Sequence, residues 1–472
     1  MIPFGKVLCR GLGESDHREG ENLAAWLEVS AQCGGVVGER DVGVGLFVGS
    51  SASIAAAGPA IVLSYLITGT LVLLVMRMLG EMSLSLPAVR SFTEFARAGL
   101  GSWAGFVAGW LYWYFWIIVV PAEAIAGANI LHAWLALPTG VLGCALMAAM
   151  TGVNLMSARS YGEFEFWFAS IKVAAIIVFI ALAAAFVLGW TAPHGASLRN
   201  LTAFGGFVPH GALSVLAGAV TVFFSLTGAE IVTVAAAESA QPSRAVAKLT
   251  SSIIVRILMF YVGSIFFIVA VVPWTDIEIG RSPFTLALER MHFGWAGLAM
   301  DAIILTAVLS CLNSAFYVCS RVLFVLAGHG DAPQGLIRLN RRRVPARSVL
   351  LCGATGIAGI LAAVQAPQSV FAFLVDASGA LMVFVYGLIA LAHVRLRRRR
   401  ERAGEPAPAI TLWMFPWSSY LAIGAMIAVL AAMAFTPGLR MDLYASLISL
   451  VVALGAGGVV VQARRRSAVA SG

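Results

Sequence analysis

The chain has 472 residues, 60% of them hydrophobic and 11% charged, with a formal net charge of +8. Soluble domains carry about 25% charged residues, so this chain has too little charge to cover a water-facing surface, and its apolar residues must face lipid. The basic balance does not mark a nucleic-acid binder, because the arginines sit in short clusters between apolar runs and do not alternate with exposed aromatics.

The N-terminal segment contains Lys6, Arg10, Glu14 and Asp16 without an apolar centre or a small-residue cleavage site, so it does not read as a secretory signal and the first spans are expected to direct insertion. A spanning helix needs about 20 mostly apolar residues, and such runs recur. Residues 42–76 are broken by Gly58-Pro59 into the end of span 1 and most of span 2. Span 3 covers 103–134, span 4 137–156, span 5 164–189, span 6 212–237, span 7 250–274 and span 8 296–327. Spans 9 and 10 divide at Gln365-Ala366-Pro367-Gln368, span 11 follows Pro416 and span 12 follows Asp442. With the N-terminus placed inside, the inner loops and tail collect Arg90, Arg97, Arg159, Arg244, Lys248, Arg338, Arg347, the arginines at 341–343, those at 395–402 and those at 464–466. The outer loops hold only Arg199, Arg281, Arg290 and Arg440. A miscounted helix would scramble that asymmetry, so twelve spans with both termini in the cytoplasm are expected. The arginine run at 395–402 reads as a loop between two spans, set there by topology or by anionic-lipid contact.

Charges inside spans are costly and point to function. Glu123, Lys172 and Glu230 lie deep, in spans 3, 5 and 6, and are candidates for the transport pathway or for a polar lock within the bundle. Asp376 belongs to span 10, whereas Glu238, Arg256, Asp301 and Arg321 fall near helix ends, where solvation or snorkelling accounts for them. Backbone breaks are a second signal. Residues 43–50 read GVGLFVGS and residues 223–230 read FFSLTGAE, both glycine-containing and the second rich in hydroxyls. Glycine eases unwinding, and Ser225 and Thr227 can satisfy freed backbone groups. Small residues equally serve close helix packing. The seven histidines are scattered, with no HExxH spacing, no P-loop is present, and nothing clusters as a catalytic constellation. The six cysteines form no CxxC pair and read as packing residues. No enzyme activity, metal or cofactor is expected.

Several stretches together resemble the bacterial amino-acid permeases of the amino acid–polyamine–organocation superfamily. They are GLFVGSS (45–51), AGPAIVLSY (57–65), MRMLGEM (76–82), GSWAGFVAGWLYW (101–113), YGEFEFWFASIKV (161–173), FSLTGAEIVTVAAAES (224–239), SCLNSAFYVCSRVLF (310–324) and GDAP (330–333). Within the family, PAEAIAGANILHAW (121–134), GAEIVTVAAAES (228–239), LSCLNSA and FLVDASGA (373–380) look most like 4-aminobutyrate permeases, although aromatic, proline and general amino-acid permeases share much of the pattern. The resemblance implies an all-α membrane protein of twelve transmembrane helices. Ten would form a five-plus-five inverted repeat with helices 1 and 6 discontinuous, followed by two C-terminal helices. It implies residence in the bacterial inner membrane and proton-driven uptake of a small amino acid, with the proton as coupling ion.

In that scheme the substrate carboxylate meets the amides of Val44, Gly45 and Leu46, next to Gly43. The amine meets carbonyls near Val42 and around Phe224, Ser225, Thr227 and Gly228, and Phe224 is the aromatic gate. Lys172 matches a lysine that stands where a sodium ion sits in other relatives, and Glu230 and Glu123 are further proton carriers. The best substrate reading is 4-aminobutyrate or a related ω-amino acid. Aromatic or other neutral α-amino acids are the alternative, and a sensor or defective homologue that transports nothing is the alternative of another class.

One departure stands out: Glu39-Arg40-Asp41 falls where the inner half of helix 1 should approach mid-membrane. Either residues 33–41 line an aqueous vestibule, or an altered reading frame replaced the apolar lead-in, which would also account for the poor upstream match. The expected organisation is therefore a tail with an atypical inner half of helix 1 over 1–41, a permease domain over 42–465 and a C-terminal tail over 466–472.

Overall fold

A backbone in lipid has no water to bond and must satisfy its N–H and C=O groups internally, so long apolar runs become helices. The computed structural model describes residues 43–86, 89, 91–156, 161–190, 198–228, 230, 233, 242–340 and 344–470, and among them all regular structure is helical. Val42, the charged Glu39-Arg40-Asp41 segment and Glu238 lie outside the described residues.

Helices α1 (Val44–Phe47) and α2 (Ser50–Ala57) lead through a tight turn at Gly58–Ala60 into α3 (Ile61–Ser85). A short α4 (Phe92–Leu100) precedes α5 (Ser102–Leu135), α6 (Thr139–Met156) and α7 (Tyr161–Val187). A single turn, α8 (Asn200–Ala203), is followed by α9 (Ala212–Leu226). Next come α10 (Pro242–Arg256), a π-helical segment (Ile257–Gly263) and α11 (Ser264–Val271), then α12 (Pro283–Arg290) and α13 (Gly294–Gly328). The chain ends with α14 (Ala346–Gln365), α15 (Pro367–Arg402), α16 (Trp417–Phe435) and α17 (Arg440–Ala470).

Ten stretches among the described residues are long and apolar enough to cross a membrane. The first, Gly45–Ser85, has 41 residues. Wound as one helix it would measure about 60 Å at 1.5 Å per residue, roughly twice the ~30 Å hydrocarbon core. Gly58 divides it: its φ of 62° is left-handed, and an added Cβ would lie 2.5 Å from Pro209 Cγ. Only glycine fits both conditions. The apolar α9 is shorter, at 15 residues.

Burial sorts the helices into layers. In α5 and α15, 78% of the most apolar stretch is buried, against 17% in α6 and 22% in α17. α5 packs on α13, α15, α4, α14, α6 and α17, and α9 on α3, α15, α2 and α16. These two neighbourhoods meet along α15. At the α9–α15 contact, a Cβ on Gly379 would strike the carbonyl of Val220, so the backbones touch directly. Such small-residue contact is the usual currency of helix association in lipid.

Three boundaries differ from those read in the sequence. α10 starts at Pro242, ahead of the expected residue 250, because its first turns are amphipathic and carry Arg244. α17 starts at Arg440 and continues to Ala470, past residue 465. The arginine run at 395–402 belongs to the last turns of α15 and is not a loop. Arginine is a good helix former, and positive charge is favoured at a helix C-terminus.

Candidate functional site

The site is built around the start of α1 and the end of α9, as they stand among the described residues. Gly43 is a bend, and α1 starts at Val44 with Phe47 N–H donating to the Gly43 carbonyl at 3.2 Å. Among the described residues, Val44, Gly45 and Leu46 form the first turn of α1. Opposite, α9 ends at Leu226: Thr227 is extended (φ −71°, ψ 149°) and Gly228 has φ 114°. That ending leaves carbonyls of the last turn without i+4 donors. Thr227 Oγ1 caps one of them, donating to the Phe223 carbonyl at 2.7 Å.

The two ends lie against each other. Ser225 Oγ donates to the Gly45 carbonyl at 2.7 Å, and a Cβ on Gly45 would sit 2.7 Å from Ser225 Cα. Gly43 is equally hemmed in: its Cβ would strike the Cys311 thiol of α13 and come within 3.1 Å of Glu123 Oε1 on α5. Glycine at both positions lets α1 press its backbone onto α9, α5 and α13. Glu123 is buried, and Pro121, two residues earlier, removes an N–H from the α5 ladder. Next to Cys311, Ser310 accepts a hydrogen bond at 3.3 Å from the fully buried Lys172 ammonium on α7. Gly43, Glu123, Cys311, Ser310 and Lys172 thus form one connected wall.

Glu230 sits just beyond the break. Its carboxylate accepts from Tyr112 of α5 at 3.0 Å, from Tyr386 of α15 at 2.9 Å and from Gly228 N–H at 2.9 Å. It is fully buried. A buried carboxylate is tolerable only when donors surround it, and three meet here from three parts of the chain. The phenyl ring of Phe224 packs on Phe115, with ring centroids 6.5 Å apart, and Phe115 stacks near Tyr112 at 6.3 Å. Above α1, Phe284 of α12 packs on Phe47 at 5.1 Å and on Phe179 of α7 at 4.7 Å, closing one side of the site.

The sequence candidates therefore converge, with two exceptions. Val42 is outside the described residues, and Asp376, one of the intramembrane charges, lies apart on the α9–α15 contact, accepting from Thr221 Oγ1 at 2.5 Å. Of the helix-end charges, Asp301 accepts from Thr285 at 2.6 Å and Arg321 lies 4.9 Å from the Tyr317 ring centre. Tyr112, Tyr386, Ser310, Cys311 and Phe115 were not singled out in the sequence. Their signal is weak, because tyrosine, serine and phenylalanine are ordinary in spans, and Glu230 finds its hydroxyl partners 118 and 156 positions away.

Comparisons with known proteins agree with this architecture. The Amino acid permease family model matches residues 32–470. A "Probable GABA permease" of Pseudomonas aeruginosa is 44% identical over 431 residues, covering 90% of both chains. The gamma-aminobutyric acid permease of Bacillus subtilis is 43% identical, covering 85% of this chain and 86% of its own. The aromatic amino acid transport protein AroP of Salmonella typhimurium is 36% identical, covering 88% and 91%. Among solved structures, the manganese transporter of Eremococcus coleocola (H236A mutant) superposes with a TM-score of 0.57 at 13% identity, covering 96% of this chain and 97% of that one, which is a likeness of fold alone. The relatives are transporters and not enzymes, and their length is matched nearly end to end. This chain is a multi-pass membrane protein and belongs to the amino acid permease family.

Proposed function

We propose that the chain is a proton-coupled importer of 4-aminobutyrate or a closely related ω-amino acid, with twelve spans, an inverted-repeat core and both termini in the cytoplasm of a bacterial cell. The twelve follow if Gly45–Ser85 is counted as two spans and α9, with the residues after it, as one more. The observation behind the substrate is the order of similarity. Permeases named for 4-aminobutyrate stand at 42–44% identity, and AroP at 36%.

In this reading the substrate carboxylate docks on the first amides of α1 (Val44, Gly45, Leu46), where the helix dipole adds positive potential. Its ammonium meets carbonyls at the end of α9, from Phe224 to Leu226. Ser225 holds Gly45 and α9 in register, and Phe224 with Phe115 forms the aromatic gate. Lys172 stands in for the sodium ion that other relatives use at the matching position. Glu230 exchanges the coupling proton, because rearrangement at Gly228 would withdraw one donor and change its preference for the charged form. Glu123, against Gly43, is a second proton carrier.

Uptake into proteoliposomes under an imposed pH gradient tests this directly. Labelled 4-aminobutyrate should accumulate when the outside is acid, without sodium, and short ω-amino acids should compete better than phenylalanine. Preference for phenylalanine or tyrosine would move the protein to the aromatic reading. Sodium dependence without a pH effect would remove proton coupling, and no uptake of any amino acid would favour a non-transporting homologue.

A further inference from the structure

The arginines that end α15 divide by face. Arg397 and Arg400, with His393 one turn earlier, point inward to the buried Glu81 of α3. Arg397 Nη1 reaches Glu81 Oε2 at 3.0 Å, Arg400 Nη2 reaches Oε1 at 3.0 Å, and His393 Nε2 lies 3.2 Å from Oε2. Arg397 Nε also holds Glu401 at 3.0 Å. The nearest acids on α3 and α15 are therefore taken up by the inward face.

Arg395, Arg398, Arg399 and Arg402 are exposed and line one groove of about 450 Å³, completed by Leu100 of α4 and by Leu391 and Val394 of α15. Every lining residue is either arginine or aliphatic. The volume falls within the usual ~300–1,000 Å³ of small-molecule sites. Arg398 donates to the hydroxyl of Tyr420 on α16, and Arg399 to the Ala98 carbonyl at 3.4 Å. These contacts fix two of the guanidinium groups yet occupy few of their five donors each. The groove lies at the end of a spanning helix, with the aliphatic residues toward the apolar stretch and the arginines toward its terminus. Ordinary snorkelling spreads arginines toward water separately. Four sharing a concave site with an aliphatic floor match an amphiphile that has an anionic head and a hydrocarbon tail.

We propose that this groove binds one anionic phospholipid, its phosphate on Arg395, Arg398, Arg399 and Arg402 and the start of an acyl chain along Leu391, Val394 and Leu100. Arginine suits the phosphate because its planar donors engage two oxygens at once. Attraction to anionic headgroups adds to this at any membrane surface, but only the groove would make the binding saturable. Bound lipid would join α4, α15 and α16 from outside, on the opposite side of α15 from Glu81.

The test uses the full chain purified in detergent and titrated with phosphatidylglycerol, read by native mass spectrometry and by thermal melting. One phosphatidylglycerol should be retained and should raise the melting temperature, while phosphatidylcholine does neither. Arg398→Gln/Arg402→Gln should weaken retention several-fold, and the variant with all four arginines changed to glutamine by at least about tenfold. Arg338→Gln/Arg347→Gln, which removes equal charge elsewhere, should leave it unchanged. Should the fourfold variant fail to fold, the double variant carries the comparison. Equal retention of both lipids, or equal loss in the double variant and its control, would overturn the proposal. Displacement of phosphatidylglycerol by millimolar inorganic phosphate would overturn the lipid assignment in favour of a soluble anion.

Discussion

Gly45 and Ser225 hold the interior together through one contact that depends on the absence of a side chain. With Ser225 Cα only 2.7 Å from where a Cβ would stand, Gly45→Ala must push α1 off α9. Overpacking of this kind costs about 1–3 kcal/mol, so uptake should fall by about tenfold or more while membrane yield is kept, as uptake assays on purified variants would record. Ser225→Ala removes only the hydroxyl, whose hydrogen bond is worth about 0.5–1.5 kcal/mol, and a rise of a few-fold in KM is expected. The buried charges can be separated by a different measurement. Glu230→Gln keeps the shape and the tyrosine partners, so substrate exchange across the membrane should survive while accumulation driven by a pH gradient is lost. If accumulation persists in Glu230→Gln, the proton passes elsewhere. Lys172→Ala with proton-coupled uptake intact would likewise remove the role given to that ammonium.

At the scale of the helix, the end of α9 is the feature on which the site depends. Its sequence is strongly apolar through Leu226, and nothing in hydropathy marks a stop there. The stop comes from Gly228, whose φ of 114° is left-handed, and from Thr227, which turns back to cap Phe223. Gly228→Ala should cost about 1–3 kcal/mol of backbone strain, seen as a lower melting temperature, and should abolish uptake more completely than it destabilises. A second irregularity lies in the π-helical segment Ile257–Gly263, next to α3, where a Cβ on Gly69 would strike Ile257. π-Helical turns arise where a helix absorbs an extra residue, frequently at working sites.

For the whole molecule, the network around Glu81 ties distant parts of the chain at one end of the bundle. Besides Arg397, Arg400 and His393, the Leu412 N–H donates to Glu81 at 2.7 Å, and Arg77, one turn earlier, donates to the Thr411 carbonyl at 2.8 Å. Arg77 also stacks on Trp413 at 3.8 Å and Arg397 on Phe415 at 4.2 Å. α3, α15 and the segment leading to α16 are thereby fastened to one carboxylate. Glu81→Ala would leave two arginines facing each other without their acceptor, and breaking a buried pair costs about 3–5 kcal/mol. Its melting temperature should drop more than that of Arg97→Gln, whose partner Asp331 is buried but whose own side chain is 26% exposed. The sequence by itself determined the all-helical membrane setting, the family and the deep charges, because hydropathy and short motifs are written locally along the chain. It also pointed to the glycine-containing stretches at 43–50 and 223–230 as places where helices could open. Only the tertiary structure decided that Ser225 grips Gly45, that Glu230 lies between Tyr112 and Tyr386, and that the arginine run divides into an inward clasp and an outward groove. Those outcomes depend on which helix faces which across more than a hundred residues of chain, and no local pattern encodes the direction in which a buried side chain will find its partner.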